Sequence, residues 1–74
     1  MIYRIDGESE WALEFGKKLK HMIDVKKISQ AYIAKALGVS RQIFSKYVHG
    51  KALPSVYKAQ KIANILGCEL DDLL

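Results

Sequence analysis

Two short stretches with helical apolar spacing, residues 30–37 and 41–48, are separated only by Gly38, Val39 and Ser40. A connection of that length forces the two helices to cross steeply. Where they cross, the backbones nearly touch, so a small residue is required on the first of them, and Ala34 stands at that place. Gly38 can take the left-handed conformation that ends a helix, because it has no Cβ to clash. Ser40 can cap the second helix through its hydroxyl. Ile33, Leu37, Val39, Phe44 and Tyr47 then fill the space beneath the crossing.

The rest of the chain is punctuated in the same helical manner. Trp11, Phe15, Leu19, Met22 and Ile23 recur at steps of three and four, which gives a first helix one apolar face. Ser9 is its expected cap, and Lys26 and Lys27 suit its negative end. Ser29 is placed to cap the second helix, and Val48 joins Phe44 and Tyr47 on the inner side of the third, which Gly50 ends. Pro54 and Ser55 open a fourth helix with a buried stripe of Val56, Ala59, Ile62, Ala63 and Leu66, closed by Gly67. A short fifth helix follows, its acids at the favourable N-terminal end. No segment alternates long enough to read as a strand. The expectation is an all-α fold of five helices, at about 10–26, 30–37, 41–48, 55–66 and 69–73. Residues 1–8, with Ile2, Tyr3 and Ile5, read as an arm or short extended piece that pairs across a dimer or covers the first helix. Residues 9–74 form one domain.

Seventy-four residues, half of them apolar, suffice for a single small core. One cysteine, Cys68, rules out an internal disulfide, and with two distant histidines it cannot complete a zinc site. No signal peptide or membrane-length apolar run is present, so a cytoplasmic setting is expected. The net charge of +4 is unevenly spread. Residues 15–61 hold eleven Lys and Arg against the single acid Asp24, whereas both ends are acidic. A basic centre between acidic ends fits a polyanion surface.

The residues Ser29 to Lys51, SQAYIAKALGVSRQIFSKYVHGK, together with Pro54 and the run Ile62 to Leu74, IANILGCELDDLL, resemble the phage Cro and repressor family of helix-turn-helix domains. The run FGKKLKHMI of the first helix extends the likeness back to Phe15. The resemblance implies a five-helix lambda-repressor-like fold, double-stranded DNA as partner and, often, a homodimer. Many members carry a buried ion pair between an arginine on the first helix and a glutamate late in the third. Here those positions are Ile23 and Val48, and an apolar contact is expected instead. Such a replacement is physically sensible, since desolvating two charges can cancel their attraction.

On the third helix Arg41, Gln42, Ser45 and Lys46 face outward. The resemblance places Arg41, Gln42 and Lys46 at base-contacting positions. Their chemistry suits the role: arginine can bridge guanine O6 and N7, and glutamine can pair with adenine N6 and N7. Ser45 and Ser40 can reach a base or a phosphate. Gln30, at the start of the second helix, joins its side chain to free backbone N–H groups as a phosphate anchor. His49 and Lys51 lie just past the third helix and are placed to hold the opposite strand. Val56, Tyr57, Ile65, Leu73 and Leu74 look surplus to a small core and are the candidate dimer patch. Ile43 is open to two readings, packed inward or facing out toward a thymine methyl or a protein partner.

The function that follows is a sequence-specific transcription regulator, a small phage- or prophage-type repressor binding a palindromic operator as a dimer. The alternative is a protein-interaction module, an antitoxin or assembly factor, because fold alone does not fix function. No histidine and carboxylate suggest a triad and no glycine-rich phosphate loop occurs, so no catalytic residues are assigned. No cofactor, metal, membrane contact or small-molecule ligand is expected.

Overall fold

A computed structural model describes the backbone of residues 2–74 and the side chains from Glu10 onward. Among these residues the chain is wholly helical: α1 (Ile2–Lys26), α2 (Gln30–Leu37), α3 (Arg41–Val48) and α4 (Val56–Leu66), closed by a 3-10 turn, Leu70–Leu73. Serine begins each of the three short helices. The Oγ atoms of Ser29, Ser40 and Ser55 accept from the backbone N–H groups of Tyr32, Ile43 and Lys58, at 3.1, 3.1 and 3.2 Å. Each hydroxyl satisfies a donor that the first turn leaves unpaired. Gly38 ends α2 with φ +85°, and the N–H groups of Gly38 and Val39 both return to the Ala34 carbonyl, at 2.9 and 3.0 Å.

One core holds the elements together. Leu19 of α1, Ile33 of α2, Phe44 of α3, Ile62 of α4 and Leu73 of the 3-10 turn are all fully buried in it. Phe44 and Tyr47 meet edge to face, ring centroids 6.2 Å apart and planes at 78°. No polar or charged residue is buried among the described side chains, so every described charged group reaches the surface. Ile23 and Val48 are both buried members of this core, which places apolar side chains where the resemblance would put an ion pair.

Six expectations need correction. The segment 2–8 continues α1 as helix instead of forming an arm, and Ser9 lies inside that helix and does not cap it. The roles expected of Ile2, Tyr3 and Ile5 rest on side chains outside the described residues. Four α-helices stand where five were expected, because the last element is a single 3-10 turn. There the Asp72 N–H returns to the Glu69 carbonyl at 3.0 Å and the Leu74 N–H to that of Asp71 at 3.3 Å, the i→i+3 spacing of a 3-10 turn, while the Asp72 carboxylate accepts from the Glu69 N–H at 2.9 Å. Trp11 and Val56, assigned to inner stripes, are 58% and 76% exposed. Ala12 takes the inward position beside Trp11, and Val56 is the first residue of α4, one turn short of the packed Ala59. Leu73, offered as a dimer contact, is core.

Candidate nucleic-acid interface

Helix α3 owes its position to contacts on its inner side. Phe44, Tyr47 and Val48 point into the core, and at 100° per residue this turns Gln42 and Lys46 directly outward. Arg41, Gln42 and Lys46 are exposed and Ser45 is half-buried on the flank. The Ser40 cap fixes the first turn of α3, from which Arg41 and Gln42 project.

Two open hollows lie along this helix. One, of about 460 Å³, is bounded by Gln30, Arg41, Gln42, Phe44 and Ser45. It brings the start of α2 together with the start of α3, so Gln30 shares a concave surface with Arg41 and Gln42. The other, of about 320 Å³, is bounded by Ser45, Lys46, His49 and Lys51. All residues expected to touch bases line one hollow or the other, and so do three of the four expected to touch phosphate. Ser40, the fourth, is exposed but committed to the cap on Ile43.

His49 is anchored to the end of α3. Its Nδ1 lies 2.8 Å from the Ser45 carbonyl oxygen and 3.1 Å from Ser45 Oγ, so the ring covers the last turn. In the tautomer that carries its hydrogen on Nδ1, the ring donates to that carbonyl, which belongs to the negative end of the helix. Ser45 and His49 therefore act as a linked pair, which sequence spacing alone does not reveal.

The candidate dimer residues divide. Val56, Tyr57 and Leu74 are exposed, Ile65 is half-buried against the core and Leu73 is interior. Val56 and Leu74 line one apolar groove with Trp11, Phe15, Leu53, Pro54, Ala59 and Leu70. Tyr57 stands outside it, with Lys61 Nζ 5.6 Å from its ring centroid.

The sequence reading missed the glycines that set how close α3 comes to α1. A Cβ built on Gly16 would lie 2.6 Å from the Val48 carbonyl oxygen and 2.9 Å from that of Tyr47. On Gly50, with φ +74°, it would lie 2.7 Å from Leu13 Cδ2 and 2.9 Å from Leu13 Cα. For Gly16 the available signal was a glycine inside an otherwise helical run; Gly50 was legible only as the end of α3.

A helix-turn-helix family model matches residues 23–73. The SPbeta prophage-derived uncharacterized HTH-type transcriptional regulator YonR of Bacillus subtilis is 43% identical over 60 residues, 81% of this chain. This chain spans 56% of that relative's length. The uncharacterized HTH-type transcriptional regulator MJ0272 of Methanocaldococcus jannaschii is 39% identical over 56 residues, 76% of this chain and 85% of the relative. Among solved structures, the restriction-modification controller protein C.AhdI of Aeromonas hydrophila superposes with a TM-score of 0.78 at 25% identity, covering 85% of this chain and 96% of that one.

Proposed function

This chain belongs to the helix-turn-helix family of the Cro and repressor type, and from that membership we propose that it is a DNA-binding transcription regulator. In this reading it represses by holding a palindromic operator as a homodimer. The observation that carries it is the outer face of α3, where Arg41, Gln42 and Lys46 are exposed beside Gln30. A helix with its side chains is roughly 10–12 Å across, which matches the roughly 12 Å width of the major groove. Relatives named as transcriptional regulators and the controller-protein neighbour support the same reading.

The roles divide by position. Arg41, Gln42, Ser45 and Lys46 read base edges. Gln30 and the first N–H groups of α2 hold one phosphate strand; His49 and Lys51 hold the other, with Ser40 beside the first turn. A single module presents too small a surface for selective binding, so a second copy is needed. The dimer surface is the apolar groove at Val56 and Leu74, enlarged by Trp11 and Leu53, with Tyr57 at its margin. That same groove is the observation favouring the second reading, a protein-interaction module such as an antitoxin or assembly factor.

Titration of duplex DNA at increasing salt separates the two readings. Phosphate contacts release counterions, so the affinity of a DNA-binding regulator falls steeply with salt. Gln30→Ala and Lys51→Ala then weaken binding to every sequence alike, and Lys51→Ala, which removes a charge, also shallows the salt slope, while Arg41→Ala relaxes preference at one or two base pairs. Absence of binding at low salt would leave the interaction-module reading in its place.

A further inference from the structure

Ile43 interrupts an otherwise polar surface. It is the third residue of α3, and 43% of its surface is exposed, although Phe44, Tyr47 and Val48 on the same helix are buried. The core is therefore filled without it. Helical periodicity puts Ile43 beside Lys46, one turn away, and on the opposite side of the Gln42–Lys46 line from Arg41 and Ser45. The Ile43 N–H also donates to Ser40 Oγ, at 3.1 Å, so its backbone is pinned at the start of the helix. A β-branched side chain in a helix has essentially one χ1 rotamer. Ile43 is thus a stiff apolar probe on the first turn, the part of α3 that penetrates furthest into a groove.

The only apolar group a base pair offers in the major groove is the C5 methyl of thymine. From this match we propose that Ile43 is a specificity residue that selects a thymine by contact with its methyl group. The proposal rests on the DNA-binding reading and adds to it a base preference that no polar side chain of α3 supplies. Arg41 and Gln42 choose by hydrogen bonds, whereas Ile43 chooses by excluding water from one methyl. Shielding about one methylene equivalent contributes enough to change affinity roughly fourfold per contact.

The test uses a duplex selected from a random pool by the whole protein. Each thymine is replaced in turn by deoxyuridine, which removes the methyl and leaves every hydrogen-bonding group in place. Wild-type protein is expected to lose about fourfold in affinity at one thymine of each half-site. Ile43→Ala should bind the parent duplex more weakly and be indifferent to deoxyuridine at that thymine, while Ile43→Val should keep part of the discrimination. The exposed position lets both variants fold, which thermal melting verifies. If salt-sensitive, sequence-selective binding persists but no deoxyuridine weakens it, or Ile43→Ala discriminates as the wild type does, the methyl contact is refuted and DNA binding stands. If neither protein binds any duplex at low salt, both the methyl contact and the DNA-binding reading fall.

Discussion

Replacing Gly16 by alanine sets two known effects against each other. In a helix interior, alanine is favoured over glycine by about 0.8–1.0 kcal/mol. Here, however, the new methyl would lie 2.6 Å from the Val48 carbonyl oxygen, 2.9 Å from that of Tyr47 and 3.0 Å from the Gly50 nitrogen. All three are backbone atoms, so no side-chain rotation relieves the contact and α1 must move away from the end of α3. Overpacking of a well-filled interior costs about 1–3 kcal/mol, and a clash with three backbone atoms belongs in the upper part of that range. The net loss is therefore about 1–2 kcal/mol, which lowers the melting temperature of a domain this size by roughly 5–15 °C. Calorimetry or circular dichroism melting of Gly16→Ala measures it directly. Gly38→Ala is the comparison, because nothing lies within 4 Å of a Cβ there and only the φ of +85° opposes it. A Gly16→Ala protein that melts at or above the wild-type temperature would refute the close approach of α1 and α3 that seats the candidate reading helix.

Other substitutions probe separate parts of the fold. Lys27 closes α1 with φ +59°, the only described non-glycine residue with positive φ, so Lys27→Gly should raise stability by up to about 1 kcal/mol in urea denaturation. Leu73→Ala should cost about 2–5 kcal/mol in the same assay, as a core truncation, whereas Val56→Ala should leave the folded monomer nearly unchanged. The half-buried Cys68 thiol is held above the ordinary cysteine value by burial first and by Asp72 next, with Lys26 pulling it down and Glu69 adding to the rise. The unfolded chain therefore loses that proton at lower pH than the folded one. Its contribution to stability is complete below the ordinary cysteine range and disappears as the pH climbs through the raised value. Cys68→Ser should remove that part of the alkaline decline, and alkylation of native Cys68 should be slower than that of the unfolded chain.

The helix-turn-helix itself was legible in the sequence because its constraints are local. Capping serines at 29 and 40, the small Ala34 and the glycine at 38 each specify a backbone event within a few residues. The outward set Arg41, Gln42 and Lys46 followed from the same periodicity, since three apolar residues fix the rotation of α3. What sequence could not give depends on distant segments. Trp11 fits an apolar stripe by spacing, yet its burial depends on whether a distant element packs against that side of α1. Leu73 looked surplus because nothing in its neighbourhood reveals that the 3-10 turn folds back onto α1 and α4. Gly16 and Gly50 are 34 residues apart, and only the folded chain shows that each is small for the sake of the other's helix.

The proposed role of α3 is to read base sequence with its exposed side. Enrichment of bound duplexes from a random DNA pool, run in parallel with wild-type protein and Arg41→Ala, tests it most directly. The wild type should recover one motif with two-fold symmetric half-sites, and Arg41→Ala should recover the same motif with one or two positions blurred in each half. Recovery of no motif, or of an identical motif by both proteins, would contradict the assignment of that helix.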